Sequence, residues 1–212
     1  VYSPNKDISI QMPDPIIDNP NNYVTVREAI KDLEIFIPTT GSMDEIQRRS
    51  NLPAINSYYR KLVIKDGYRA INNHVCTATR KLSLERFEKI APGMNFHSLP
   101  DELKEQYENP GRTQNTVYRR LAPDLPSETV VNVRKSMWIH PKFNRAISAR
   151  EAARLQSFPD DYIFYGTKDS VYQQIGNAVP PVLGRAVAEK VLELLECDNN
   201  YEKLMDIYKK YQ

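Results

Sequence analysis

The residues best suited to bind a ligand form a basic segment between Arg112 and Arg154. The segment contains nine basic and three acidic side chains, a net charge of +6, whereas the whole chain of 212 residues carries only +2. A local positive field of this kind suits the phosphate backbone of a nucleic acid. The alternative is a solvated face whose charge is balanced by acidic neighbours in the fold.

Groups that could act as nucleophiles or metal ligands are few and scattered. The two cysteines, Cys76 and Cys197, do not suggest a disulfide framework, and a reducing cytoplasm is their simplest location. His74, His97 and His140 lack the spacing of a metal site. We therefore expect a cytoplasmic protein without a bound metal.

The overall composition is that of a globular protein. Hydrophobic residues make up 41% of the chain and charged residues 26%, and the length suits one domain or slightly more. Apolar runs long enough to span a membrane and signal-peptide patterns are both missing from the sequence. The chain begins with Val1 rather than Met, so we expect a piece of a longer polypeptide.

A turn that opens a long helix is the most distinctive local pattern. Gly176 and Asn177 adopt unusual backbone angles easily, and Pro180 and Pro181 suit a first helical turn. A run with apolar residues at helical spacing then predicts a helix over 180–195. Its apolar stripe, which needs a partner, consists of Leu183, Ala186, Val187, Val191 and Leu194.

Capping patterns predict two further helices. Ser148 and Glu151 form a capping box upstream of the turn, with Pro159 ending that helix. Thr25 and Glu28 form a second box, which opens a short helix through Leu33.

The remaining patterns predict shorter elements. Alternation and turn residues indicate strands, and amphipathic spacing indicates helices. The predicted strands are Tyr58–Ile64, Tyr68–Ile71, Thr116–Leu121 and Thr129–Val133, and the predicted helices are 79–90 and 199–212.

Two blocks of sequence resemble a known family. Residues 145–160 are similar to the ninth signature block of the cytosine-C5 DNA methyltransferases, and residues 174–181 resemble their tenth and last block. Three stretches look like parts of the family's recognition region, namely 26–33, 72–75 and 116–131. The resemblance covers roughly residues 23–196 and concerns only the C-terminal part of the family.

The resemblance implies an α+β fold in three parts. Residues 1–22 would be a linker or extended arm, rich in Pro and Asn. Residues 23–165 would be a small, irregular target-recognition domain with short strands and helices. Residues 166–212 would be a C-terminal helical segment that packs on an α/β catalytic domain lying outside this chain.

The resemblance also assigns roles to individual residues. Asn177, Ala178 and Val179 would line the S-adenosylmethionine pocket, mostly through backbone. Recognition of double-stranded DNA would fall to Arg112, Tyr118, Arg119, Arg120, Arg134 and Lys135. Structural support would come chiefly from Arg145, Arg150, Glu151 and Arg154, with phosphate contact as a second role for the arginines.

The family's reaction needs groups that this sequence lacks. The resemblance implies a nucleophilic cysteine after a proline, but Cys76 follows Val75 and Cys197 follows Glu196. A Gly-rich cofactor loop is also missing, so we expect no catalytic residue here and no methyl transfer by the chain alone.

Three functions stay open at this point. The first is the recognition and closing portion of a bacterial restriction–modification methyltransferase, as an excised domain or as the second subunit of a split enzyme. The others are a non-catalytic DNA-binding protein and a docking module that does not touch DNA.

Overall fold

The computed structural model describes residues 12–131, 133–195 and 200–211. The expectations about residues 1–11, Cys197 and the two ends of the last helix fall outside this range. The helices are α1 (Val26–Ile30), α2 (Tyr58–Val63), α3 (Lys81–Lys89), α4 (Val133–Ser136), α5 (Ala149–Leu155), α6 (Lys168–Asn177), α7 (Pro181–Leu194) and α8 (Leu204–Lys209). Two strands, β1 (Ile46–Arg48) and β2 (Ala70–Asn72), and five single 3-10 turns complete the described elements.

The described part of the chain is mixed, with many helices and one small antiparallel sheet. Strands β1 and β2 pair with Ile46 opposite Asn72 and Arg48 opposite Ala70. The predicted strand at 68–71 was nearly right in position, but its partner comes from residues 46–48 instead of 58–64.

The prediction of a strand over 58–64 was wrong, because that segment forms α2. The Ser57 side chain accepts a hydrogen bond from the backbone N–H of Arg60 and caps the helix. Tyr58, Tyr59 and Val63 are buried from successive turns of this helix. Their spacing is therefore compatible with one face of a helix as well as with a short strand. The N-cap at Ser57 favours the helix.

The main core joins α1, α2, α5 and α6. Its buried residues include Ile30, Val63, Trp138, Ile147 and Ile175. Helix α6 contributes Val171, Tyr172 and Ile175 to this core, so the expected boundary at residue 165 does not coincide with a break in packing.

A second cluster of buried residues lies around α3 and consists of Phe87, Ile90, Phe96, Leu99, Tyr118 and Ile139. The predicted strands at 116–121 and 129–133 were both wrong. Tyr118 has a left-handed φ of 50°, which interrupts any strand through 116–121, and only an isolated bridge joins Arg120 to Ile139. In the other segment, helix α4 begins at Val133 and residues 129–131 have no regular structure.

A third cluster brings the two ends of the described chain together. Val182 and Ala186 of α7 pack against a cluster formed by Leu204 and Ile207 of α8 and Tyr58 of α2. Two isoleucines of the expected arm, Ile16 and Ile17, pack against the same cluster. At least this part of the arm is thus docked on the fold.

The link between α6 and α7 differs from the prediction. Gly176 and Asn177 end helix α6, and the turn consists of the next three residues, Ala178 to Pro180. Helix α5 ends at Leu155, earlier than Pro159 alone would require, because Ser157 takes a left-handed φ of 61°.

Candidate functional site

The predicted capping box of α5 is confirmed and carries a buried ion pair. Ser148 accepts from the N–H of Glu151, and the Glu151 carboxylate accepts from the N–H of Ser148 at 2.7 Å. Arg145 donates two hydrogen bonds to the same carboxylate, at 2.7 and 2.8 Å. Burial alone would raise the pKa of Glu151, but the Arg145 guanidinium outweighs it and lowers the pKa to about 2.

Arg154 lies at the centre of a buried ionic network. It donates to Asp160 through Nε at 2.6 Å and Nη2 at 2.7 Å, and to Asp32 through Nη2 at 3.2 Å. Arg49 bridges the same two carboxylates, at 2.9 Å from Asp32 and 3.1 Å from Asp160. The network ties α5 to the end of α1 and to β1.

Arg150 is buried and forms no ion pair within 4 Å with any acidic side chain of the described residues. Its guanidinium donates to the carbonyls of Asn72, Pro159 and Tyr162, at 2.9, 3.1 and 2.7 Å. Burial lowers its pKa to about 10. Because Arg150 and Arg154 are both 0% exposed, neither guanidinium can reach a phosphate in this conformation.

Gln156 and Ser157 hold the turn between α6 and α7. The buried Gln156 amide donates to the carbonyls of Ile175 at 3.0 Å, Val130 at 3.4 Å and Ala178 at 3.5 Å. The Ser157 hydroxyl accepts from the N–H of Val182 at 3.2 Å, in the first turn of α7. The sequence analysis did not single out these residues, although two polar residues directly after a capped helix were a usable signal.

The turn itself faces outward. Asn177 is exposed, Val179 is 66% exposed and Ala178 is half-buried against the main core. On the inner side, a Cβ on Gly176 would lie 2.5 Å from the carbonyl oxygen of Val131. The close approach of α6 to residue 131 thus requires glycine at position 176.

Two of the expected DNA-contacting residues lie beside this turn. Arg134 and Lys135 line a cavity of about 430 Å³ together with Gln173, Gly176 and Asn177. Arg134 forms an ion pair with Asp169, whereas no ion pair of Lys135 is recorded among the described residues. The structure therefore brings together residues that the sequence had assigned separately to DNA and to the cofactor.

The other four expected DNA contacts have different environments. Arg112 is exposed on a 3-10 turn, and Arg119 is partly exposed, paired with Glu128 and bonded to the Gly93 carbonyl. Tyr118 and Arg120 are only 5% and 4% exposed. The side chains of these last two residues pack inside the fold in this structure.

Arg120 is fully engaged by its own chain. Its guanidinium donates to the carbonyls of Phe87 and Ile90, both at 2.6 Å, and of His140 at 3.0 Å. It also donates to the Asn144 side chain at 2.6 Å. These bonds explain why a strongly basic residue can be buried although no acidic side chain in the described part of the chain pairs with it.

The described residues form neither a metal-binding cluster nor a membrane-spanning helix. Within 12–131, 133–195 and 200–211, no group of three or more His, Cys, Asp or Glu side chains is placed to hold a metal ion. None of the helices in these ranges combines the length and apolar character needed to cross a membrane.

Comparison with known proteins gives consistent matches. The family model for C-5 cytosine-specific DNA methylases matches residues 11–193. The type II methyltransferase M.DdeI of Desulfomicrobium norvegicum is 33% identical over 184 residues, covering 81% of this chain and 43% of that protein. M.BbvI of Brevibacillus brevis is 42% identical over 128 residues, covering 57% of this chain and 33% of that protein.

The fold is also found among solved structures. A structure described as a prophage-encoded DNA modification methyltransferase of E. coli superposes with a TM-score of 0.61 at 24% identity. The match covers 82% of this chain and 47% of that one. The chain thus spans less than half the length of these relatives. Because the family model matches most of its residues, the chain belongs to the C-5 cytosine-specific DNA methylases.

Proposed function

We propose that this chain is the target-recognition and closing portion of a DNA (cytosine-5-)-methyltransferase. It works with a catalytic portion that supplies the nucleophilic cysteine and most of the S-adenosylmethionine pocket. M.DdeI and M.BbvI are both type II methyltransferases, which supports a restriction–modification context in a bacterial cytoplasm.

The exposed apolar stripe of α7 is the observation that carries this proposal. Leu183, Val187 and Val191 recur at spacings of four residues and are 51%, 42% and 47% exposed. The other face of α7 is already covered, since Val182 and Ala186 pack against α8. Burying side chains of this size is worth roughly 1.5–3 kcal/mol each, so the stripe favours a partner surface such as the catalytic portion.

The described residues fit part of a cofactor site. Asn177, at the end of α6, and Val179, in the turn that follows, are exposed and can offer an amide and an apolar contact. Asn177, Ala178 and Val179 do not enclose a ligand by themselves, so the remaining walls must come from the catalytic portion. When bound, S-adenosylmethionine supplies the methyl group.

The proposed DNA-contacting residues are the exposed or partly exposed basic side chains. Arg112, Arg119, Arg134 and Lys135 keep this role, while Tyr118 and Arg120 support the domain from inside. Sequence-specific recognition takes place in the major groove, whose base edges carry a unique pattern. The catalytic portion would then receive the cytosine flipped out of the helix.

The proposal is tested by reconstitution. The amino-terminal portion of M.DdeI, up to the matched region, is mixed with this chain, labelled S-adenosylmethionine and cytosine-containing DNA. We expect label in the DNA only when both polypeptides are present. Turnover by this chain alone, at a rate comparable to that of a complete enzyme, would contradict the proposal.

A further inference from the structure

We propose that the cavity between α4 and α6 is a subsite for one phosphodiester group of the DNA backbone. The inference rests on the proposed function and deepens it, because it joins Arg134 and Lys135 to Gln173 and Asn177 in a single site. The cavity measures about 430 Å³ and is half-open to solvent.

The polar groups of the cavity are mainly hydrogen-bond donors. Lys135 is exposed and brings an ammonium group with three donors, and Arg134 has a buried Nε–H that lacks a partner among the described residues. Gln173 and Asn177 are four residues apart on α6 and therefore lie on the same face of the helix. No hydrogen bond from either amide to another described residue is recorded.

The charges of the cavity favour an anion. Two cations, Arg134 and Lys135, face one carboxylate, Asp169, which is 66% exposed at its side chain and already paired with Arg134. Among the described residues, no acidic side chain therefore pairs with Lys135. Lysine, arginine and amide side chains are the usual partners of backbone phosphates, whereas a basic or purely apolar ligand surface would match this set poorly.

The floor of the cavity is closely packed. Gly176 lies so close to the Val131 carbonyl that a Cβ there would be only 2.5 Å from the oxygen. Tyr172 forms part of the wall, and its hydroxyl is fixed by donating to the Ile147 carbonyl at 2.7 Å. The backbone that carries the donors is thus packed against the main core through Val133 and Tyr172.

An anionic group could come from DNA or from the carboxylate of the cofactor. We commit to DNA, because the cavity combines lysine, arginine and amide side chains, which are the usual partners of backbone phosphates. Titration of the chain with DNA and, separately, with S-adenosylmethionine distinguishes these two sources.

The test is the salt dependence of DNA binding by the full 212-residue chain, measured with a mixed-sequence duplex. Lys135→Ala should reduce the slope of log K against log salt by about 0.9, the value for one phosphate contact. Gln173→Ala should weaken binding roughly two- to tenfold, as expected for one hydrogen bond. Lys89→Ala on α3, which removes the same charge outside the cavity, should leave the slope unchanged.

A variant that should strengthen DNA binding adds a second test. Asp169→Asn removes the carboxylate that competes for Arg134 and should strengthen DNA binding, while Asp101→Asn, which changes a fully exposed carboxylate elsewhere, should not. An unchanged slope in Lys135→Ala, with parental DNA binding intact, would overturn the subsite alone. A parent chain with no salt-dependent DNA binding would overturn the subsite and the proposed recognition role together.

The cofactor is tested in the reconstituted mixture with M.DdeI. We expect Lys135→Ala to bind S-adenosylmethionine as tightly as the parent does. If the variant loses cofactor affinity and keeps the DNA slope, the anion held in the cavity is the cofactor carboxylate and the proposal is wrong.

Discussion

The side-chain amide of Gln156 donates to the main-chain carbonyl of Ile175 at 3.0 Å, and so attaches α5 to the end of α6. The same Nε2 faces the carbonyls of Val130 and Ala178 at 3.4 and 3.5 Å. Gln156→Glu keeps the shape but places a carboxylate against three carbonyl oxygens. We expect the free energy of unfolding to fall by about 3 kcal/mol, as for a buried unpaired charge that partly neutralises.

Urea denaturation followed by circular dichroism measures this loss. Gln173→Glu is the matched control, because Gln173 is exposed on α6 and its replacement should change stability by less than about 0.5 kcal/mol. Equal stability of the two variants would show that Gln156 does not hold the turn.

Two glycines give a contrasting pair. In Gly176→Ala the new Cβ would lie 2.5 Å from the Val131 carbonyl, so residue 131 or α6 must shift. In Gly184→Ala, on α7, the Cβ meets nothing within 4 Å. We expect a lower melting temperature for the first variant and a gain of up to about 1 kcal/mol for the second, from helix propensity alone. A stabilised Gly176→Ala would mean that the close approach does not exist.

His140 should make stability depend on pH. Burial lowers the pKa of His140 to about 4, and its Nδ1 accepts from the backbone N–H groups of Lys142 and Phe143. Between the unfolded pKa of about 6.5 and the folded pKa of about 4, the imidazole takes up a proton only in the unfolded state. The free energy of unfolding should therefore fall by about 2 kcal/mol between pH 7 and pH 5 through this residue.

The variant His140→Asn keeps an acceptor for the two backbone groups and does not titrate. Denaturation curves at pH 7 and pH 5 should show a smaller loss in the variant than in the parent. Part of the loss should remain, since burial lowers the pKa of His74 as well. An identical pH response in both proteins would exclude His140 as its source.

Helices with caps were the elements most readily predicted from the sequence. Ser148 and Glu151 define α5 because their hydrogen bonds are local, and the apolar spacing after Pro181 defines α7. The strand expected at 58–64 failed because two adjacent tyrosines fit either period, and the N-cap at Ser57 favours the helix. The expected strand at 116–121 is interrupted at Tyr118, which has a left-handed φ. No local sequence pattern predicts this backbone angle.

The sequence predicts which residue types belong to the candidate site, but not whether each side chain is buried or exposed. Arg119 and Arg120 are neighbours of the same type, yet Arg119 is partly exposed and Arg120 is buried among carbonyls. Those carbonyls come from residues 20 to 33 positions away, so only the tertiary fold reveals them. The same holds for the cavity that joins Lys135 to Asn177.

The central claim is that this chain completes a methyltransferase by docking through α7. The direct measurement is methyl transfer in the mixture with the amino-terminal portion of M.DdeI, comparing the parent with Leu183→Asp/Val191→Asp. Both positions are about half exposed, so the chain's own fold, followed by circular dichroism, should survive. We predict that the double variant binds its partner at least tenfold more weakly and restores little methylation, whereas equal binding and equal methylation would contradict the account.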